Sequence, residues 1–205
     1  MIPITENNNN KNKELNVEFF KDKENKLNVK IITERLLIRN VTSDIEDRKK
    51  FHKLLTDPIN TKKYGFGVQT IDQIDKEYNE WLECWENNDP CGGLMVFLKE
   101  TNEFIGHVML MHGKVPGEAE IAIILDKDYQ GKQYGTEMIH SMVQQYSLAI
   151  INEGLLVLGK PLYTLYATAR VDNHGSMKII QKAGLVYYHQ EVLYGFLRNF
   201  YRLNL

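Results

Sequence analysis

The run Asp128-Tyr129-Gln130-Gly131-Lys132-Gln133-Tyr134-Gly135-Thr136 lies between an apolar, strand-like stretch, Ile121 to Leu125, and a long helical pattern. Glycine has no Cβ, so Gly131 and Gly135 let the backbone turn tightly against a ligand. The first N–H groups of the helix that follows have no internal partners and sit at the positive end of its dipole. Residues 130 to 136 therefore offer a cradle for an anion, and a pyrophosphate is a natural guest. Lys132 adds a positive charge. The competing reading is a strand-to-helix turn with a surface lysine, and two glycines alone do not decide between them.

Other reactive side chains are scattered. Glu118 and Glu120 share one face of a predicted strand by its period of two. His107 and His112 sit on another predicted strand, an odd number of residues apart and so on opposite faces, and no cysteine or carboxylate pattern completes a metal site around them. No metal is expected. Cys84 and Cys91 are the only cysteines, and their spacing fits neither a zinc site nor a redox C-x-x-C pair; two incidental thiols in a reducing compartment is the expectation. No nucleophile elbow is present. Trp81 and Trp85 read as core or as walls of an acceptor groove.

The elements that must position these groups follow from pattern and punctuation. Lys30 to Asn40 reads as a strand, and Thr42-Ser43-Asp44 offers N-cap oxygens for a helix that runs to about Thr56 and stops at Asp57-Pro58. A loop, Ile59 to Thr70, interleaves glycines with aromatics in Tyr64-Gly65-Phe66-Gly67. A second helix from Asp72 repeats Ile74, Tyr78, Trp81, Leu82 and Trp85 at helical spacing. Cys91 to Lys99 and Phe104 to Met111 read as strands joined by Glu100 to Glu103, and Glu118 to Leu125 as a third. Gln133 to about Asn152 carries Tyr134, Met138, Met142 and Tyr146 along one helical side. Leu162 to Arg170 alternates like a strand, Asn173 caps a helix ending at Lys182, Gly184 suits its C-terminal cap, and Gly195 centres a closing hairpin. The order is β α α β β β α β α β β.

The stretch Ala119-Glu120-Ile121-Ala122-Ile123-Ile124-Leu125 through Gln130-Gly131-Lys132-Gln133-Tyr134-Gly135-Thr136-Glu137 resembles the acetyl-CoA motif of the GNAT superfamily of N-acetyltransferases, and within it the branch that acetylates ribosomal-protein N-termini. Thr33-Glu34-Arg35-Leu36-Leu37-Ile38-Arg39, Phe104-Ile105-Gly106-His107-Val108, and Asn173-His174-Gly175-Ser176 through Lys182-Ala183-Gly184-Leu185 follow in that family's order. The resemblance implies a mixed α/β GNAT fold, a central twisted sheet of about seven strands with helices on both faces. It also implies acetyl-CoA as donor and a primary amine as acceptor, either a protein N-terminus or a small molecule, in a monomer or homodimer. Gln130, Gly131, Lys132, Gln133, Tyr134, Gly135 and Thr136 would hold the pyrophosphate, Ile123 and Leu125 the pantetheine, and Asn173 and Ser176 would touch the cofactor from the last helix. Glu120 matches the glutamate of the family's Ala-Glu-Ile-Gly pattern and would take the amine proton, with Glu118 as fallback and Ser176 a candidate donor to the thiolate. Two positions depart from the family: Gln133 replaces the first glycine of the usual Gly-x-Gly/Ala, and Ile180 stands where many members carry a tyrosine acid. An aminoglycoside or polyamine acetyltransferase, or a non-catalytic acyl-CoA-binding module, are the alternatives.

The whole chain bounds these readings. With 205 residues, 43% of them hydrophobic, it supports one sizeable core. Residues 1–29, with Asn7 to Asn10 and alternating Lys, Asn and Glu, read as a disordered or loosely docked arm before a single domain over 30–205. A net charge of −2 argues against a general nucleic-acid binder. No segment approaches a membrane span and no signal-peptide pattern opens the chain, so a cytoplasmic protein without membrane partners is expected.

Overall fold

The computed structural model describes residues 17–205. In chain order its elements are β1 (Val17–Lys21), β2 (Leu27–Ile32), β3 (Leu36–Asn40), α1 (Ile45–Thr56), α2 (Pro58–Thr61), α3 (Ile71–Glu86), β4 (Gly92–Leu98), β5 (Phe104–His112) and β6 (Glu118–Leu125). They continue with α4 (Tyr134–Ser141), α5 (Ser147–Asn152), β7 (Leu156–Val157), β8 (Lys160–Pro161), β9 (Thr164–Arg170), α6 (His174–Lys182), β10 (Val186–Leu193) and β11 (Phe196–Asn204). Local chemistry sets the helix starts: Asp44 accepts from the Glu46 N–H at 2.8 Å, Asp57 caps α2 with Pro58 in the first turn, and Thr70 and Gln73 form a reciprocal capping box on α3. The expected helix from Gln133 to Asn152 is α4 and α5 joined through a π turn at Met142–Tyr146.

Nine strands form one sheet in the order β1-β2-β3-β4-β5-β6-β9-β11-β10, against the seven or so expected. The additional strands come from the front of the chain. Lys30 to Asn40 is not one strand but parts of β2 and β3, which turn at Thr33 to Arg35 and pair antiparallel, Ile31 opposite Ile38. The expected arm is corrected too: β1 pairs with β2 from Val17 opposite Ile31 to Lys21 opposite Leu27, and Leu27 and Val29 are buried in the core. Alternation of Leu27, Val29 and Ile31 with Asn28 and Lys30 gives β2 one apolar face, which is enough to bind it to the sheet. Residues 1–16 of the expected arm lie outside the described residues. Among the described residues no helix is long and apolar enough to cross a membrane.

Side-chain alternation separates the helices onto two faces. His107 of β5 lies beside Ile124 of β6, and its ring packs 5.0 Å from Phe51 of α1 and 5.5 Å from Trp81 of α3. Ile123, one residue along and therefore on the other face, approaches Gly135 of α4. The first face thus carries Glu120, Ala122 and Ile124 toward α1 and α3. The second carries Ile121, Ile123 and Leu125 toward α4. Between these layers the sheet is interrupted: β6 and β9 pair in parallel only from Glu118 opposite Thr164 to Glu120 opposite Tyr166. Beyond that point β6 runs on to Leu125 and β9 to Arg170 without pairing, so the two strands splay and leave a gap in the sheet.

Candidate active site

A cavity of about 910 Å³ occupies this gap. The β6 residues from Glu120 to Leu125 and Ala167, Thr168 and Ala169 of β9 form its two walls. The β6 edge facing β9 beyond Glu120 carries backbone groups with no strand opposite them, a ready template for an extended amide-bearing ligand.

On the α4 face, Gln130, Gly131, Gln133, Gly135 and Thr136 line the cavity. Gly131 has φ 76° and Gln133 φ 67°, so two left-handed residues fold the loop back on itself before α4 starts. The first helical donors are the Thr136 and Glu137 N–H groups, both to the Gln133 carbonyl, at 3.1 and 3.2 Å. The N–H groups from Gly131 to Gly135 have no partners among the described residues and gather at the positive end of α4. Gln130 ties the loop to the strand by donating from Nε2 to the Leu125 carbonyl at 3.0 Å. The loop therefore fits a phosphate-bearing group through backbone donors, and the sequence-predicted Gln133 occupies the left-handed position that a glycine would take without strain.

Lys132 and Tyr134 do not line the cavity. The Lys132 Nζ donates to the Asp128 carbonyl at 2.9 Å and sits over the Tyr129 ring, while Tyr134 lies under the Arg35 guanidinium, 4.5 Å from its ring centre. Arg35 was legible only as part of the opening strand. Here it is a clamp on the loop: it donates to the Lys132 carbonyl at 3.0 Å and to Glu137 Oε2 at 2.7 Å. Glu137 Oε1 accepts from Thr33 Oγ1 at 2.6 Å and from the Arg35 N–H at 2.8 Å. Burial by itself would raise the Glu137 carboxyl, but these bonds hold it below the usual carboxylate range.

From α6, Asn173 and Ser176 reach the cavity, with Asn173 Oδ1 also capping the helix by accepting from the Ser176 N–H at 3.3 Å. Ile180 is buried in the wall and brings no phenol.

On the α1/α3 face, Glu120 lines the cavity and Glu118 does not. Burial lifts the Glu120 carboxyl to about 7, against the pull of Arg198, of a 3.4 Å hydrogen bond donated by Thr168 Oγ1, and of Lys114. Such a group is half ionised near neutral pH and suits proton transfer. Arg198 of β11 is buried; its Nε donates to Thr168 Oγ1 at 3.0 Å and its Nη2 to the Thr168 carbonyl at 3.2 Å. Tyr64, Gln69 and Glu77 enter from the loop before α3 and from α3 itself, and Tyr194 from the β10–β11 turn. Tyr194 packs 4.4 Å from Phe66. The Tyr64 hydroxyl lies 3.3 Å from Nε2 of the fully buried His107, which burial depresses to about 3 and so keeps neutral. None of Arg198, Tyr194, Gln69 and Glu77 was marked as functional from the sequence. For Tyr64 and Tyr194 the available signal was a glycine beside an aromatic in a loop.

Elsewhere, the structure corrects the expectation that no cysteine or carboxylate gathers near the histidines. Asp89 Oδ2 is 2.7 Å from His112 Nε2, and Asp89, Cys91 and His112 bring donor atoms within 4.8 Å of one another. The Asp89 Oδ1 accepts from the Cys91 N–H at 2.8 Å and burial pushes the Cys91 thiol up. The α3–β4 loop folds onto the end of β5 there, away from the cavity, a contact distant in sequence.

A family model described as Acetyltransferase (GNAT) domain matches residues 35–186. A search of curated proteins finds no match. Among solved structures, a GNAT-family acetyltransferase from Bacillus anthracis is 19% identical with a TM-score of 0.66, covering 85% of this chain and 98% of that one. Spermidine N-acetyltransferase from Vibrio cholerae, solved with CoA and spermine, is 18% identical with a TM-score of 0.66, covering 84% and 96%. The ribosomal-protein α-N-acetyltransferase RimL in complex with coenzyme A is 15% identical with a TM-score of 0.65, covering 85% and 96%. These likenesses establish the fold.

Proposed function

The chain belongs to the GNAT acetyltransferase family, and on that premise we propose that it moves the acetyl group of acetyl-CoA to a primary amine by direct attack in a ternary complex, with Glu120 taking the amine proton. The observation that carries the reading is the gap between β6 and β9, which opens the backbone cradle of the α4 loop on one face and Glu120 on the other. Acetyl-CoA supplies an activated acyl group as its thioester. The chain supplies everything else.

The amides from Gly131 to Gly135 hold the pyrophosphate, and the β6 edge at Ile123 and Leu125 pairs with the pantetheine, assisted by Asn173 and Ser176 from α6. A backbone N–H near Leu125, on the edge of β6 that β9 leaves unpaired, would donate to the thioester oxygen, a type of contact worth about 2.7–4 kcal/mol at the transition state. An amine is mostly protonated at neutral pH, since α-amines titrate near about 8 and lysine amines near about 10.4. Glu120, poised at about 7, takes that proton first, which frees the nitrogen lone pair to form the C–N bond as the C–S bond of the thioester breaks. Ser176 is the protein hydroxyl offered to the departing thiolate. Lys62 and Lys63 on the cavity wall before α3 disfavour a polycationic acceptor. The cytoplasm, where acetyl-CoA and reduced thiols coexist, is the setting this chemistry expects.

Ile180, apolar where many relatives carry a phenol, favours one other reading: a module that binds acyl-CoA without turnover. Thiol release from acetyl-CoA in the presence of a panel of primary amines separates the two. Amine-dependent release supports the transferase; binding of acetyl-CoA with no release for any amine overturns it.

A further inference from the structure

Two polar atoms on the acceptor side of the cavity are buried without a partner among the described residues, Nη1 of Arg198 and Oε1 of Gln69. They are of opposite kind. Arg198 is 6% exposed and spends its other nitrogens on Thr168, so Nη1 is a fixed, charged donor with nothing to bond. Gln69 gives its amide to Glu77 Oε2 at 3.4 Å, which leaves its carbonyl oxygen as a fixed acceptor. Leaving such groups unpaired is costly in a dry site, so native structures rarely do so without a ligand to complete them.

Arg198 is joined to the proposed base by one intervening side chain. Thr168 links Arg198 to Glu120 through a single hydroxyl, which accepts from one and donates to the other. Tyr64, Gln69, Glu77, Glu120, Tyr194 and Arg198 all line the same cavity, on the side away from the α4 loop. An acceptor that satisfies this volume carries an amine for Glu120, an oxygen for Arg198 and an N–H for Gln69.

Resting on the acetyl-transfer reading, we propose that Arg198 and Gln69 form the subsite for an α-aminoacyl group at the start of a peptide. Arg198 Nη1 donates to the carbonyl oxygen beside the α-amine, and Gln69 Oε1 accepts from the amide N–H that follows. A polyamine has no acceptor atom for Arg198. A simple alkylamine leaves both buried groups unpaired, which is the situation in which enzymes discriminate most strongly.

The test compares a tripeptide amide with a free α-amine, the same tripeptide methylated on its first amide nitrogen, an alkylamine lacking the carbonyl, and spermidine. Wild type, Arg198→Lys and Gln69→Leu are assayed, with the thermal shift by acetyl-CoA confirming that each variant is folded. The expected result is that wild type prefers the tripeptide by about tenfold or more over the alkylamine and spermidine. Arg198→Lys should raise the tripeptide KM by about ten- to a hundredfold with little change in kcat, a loss at least about tenfold larger than for the alkylamine. N-methylation should cost wild type a similar factor and Gln69→Leu nothing further. Equal losses for tripeptide and alkylamine in both variants would overturn the subsite, as would faster turnover of spermidine than of the tripeptide by wild type. If no amine is turned over, the acetyl-transfer reading fails by itself, and calorimetric titration of the tripeptide still decides the subsite. Binding at least about tenfold weaker in Arg198→Lys supports it and equal binding refutes it.

Discussion

Arg35 and Glu137 meet at 2.7 Å across the junction of β3 and α4, and the carboxylate also accepts from Thr33 and from the Arg35 backbone. With the Arg35 bond to the Lys132 carbonyl, this contact ties the loop before α4 to the turn that opens β3.

Glu137→Ala removes the acceptor of four donors. Stability should fall by about 1–3 kcal/mol, as partly buried groups lose their partners, and acetyl-CoA affinity should fall with it because the Lys132 carbonyl loses its anchored neighbour. The pH sign is fixed by the lowered carboxyl: the stabilisation is present above the ordinary carboxylate value and lost as pH falls through the folded value. Melting curves of the two proteins should therefore converge in acid. A constant gap down to pH 3 would show that the pair acts only through packing.

Gln133→Gly should raise the melting temperature or leave it unchanged. Gln133 precedes α4 with φ 67°, so the cost of glycine inside a helix does not apply, while the left-handed strain of a side chain, about 1–2 kcal/mol, is relieved. Acetyl-CoA should bind as tightly or more tightly. Binding at least about tenfold weaker would identify the Gln133 side chain as a ligand contact.

Deleting residues 1–29 should destabilise the fold. Leu27 and Val29 are 3% and 1% exposed, each worth about 1.5–3 kcal/mol of burial, and their loss with β1 leaves only Lys30 to Ile32 paired against β3. A truncated protein that melts with the full chain would contradict the docking of β1 and β2.

His107 should give the protein an acid-sensitive core. Its folded value of about 3 lies below the 6.5 of a free histidine, so the unfolded chain binds a proton that the native state refuses. Stability is full above the free value and declines as pH falls from there toward about 3. His107→Leu should flatten that decline in denaturant titrations from pH 7 to 4, and an unchanged slope would show that other groups carry it.

The half of the cavity proposed for the cofactor was legible because it is local. A strand, a glycine turn and a helix start occupy one continuous segment, so Gly131 announces a left-handed turn and Asn173 a helix cap that the fold then uses, whereas Gly135 lies inside α4 and the second left-handed residue is Gln133. Glu120 was legible by its place on the same strand. The acceptor half was not, because Arg198 reaches Thr168 only through the pairing of β11 with β9, and Gln69 and Tyr194 arrive on loops from opposite ends of the domain. The same holds for Asp89, Cys91 and His112. At the front of the chain, abundant Lys and Asn hid the two-residue alternation that makes β2 a strand.

The central claim is that Glu120 removes the amine proton at the sheet gap, and the ratio of kcat/KM for wild type to Glu120→Gln, followed from pH 5 to 9, tests it most directly. The ratio cancels the titration of the acceptor amine, which both proteins share. The account predicts a ratio that climbs with pH, bends at about 7 and levels off at roughly 10²–10⁴, with acetyl-CoA affinity nearly the same in both. A ratio near one at every pH would remove Glu120 from the mechanism.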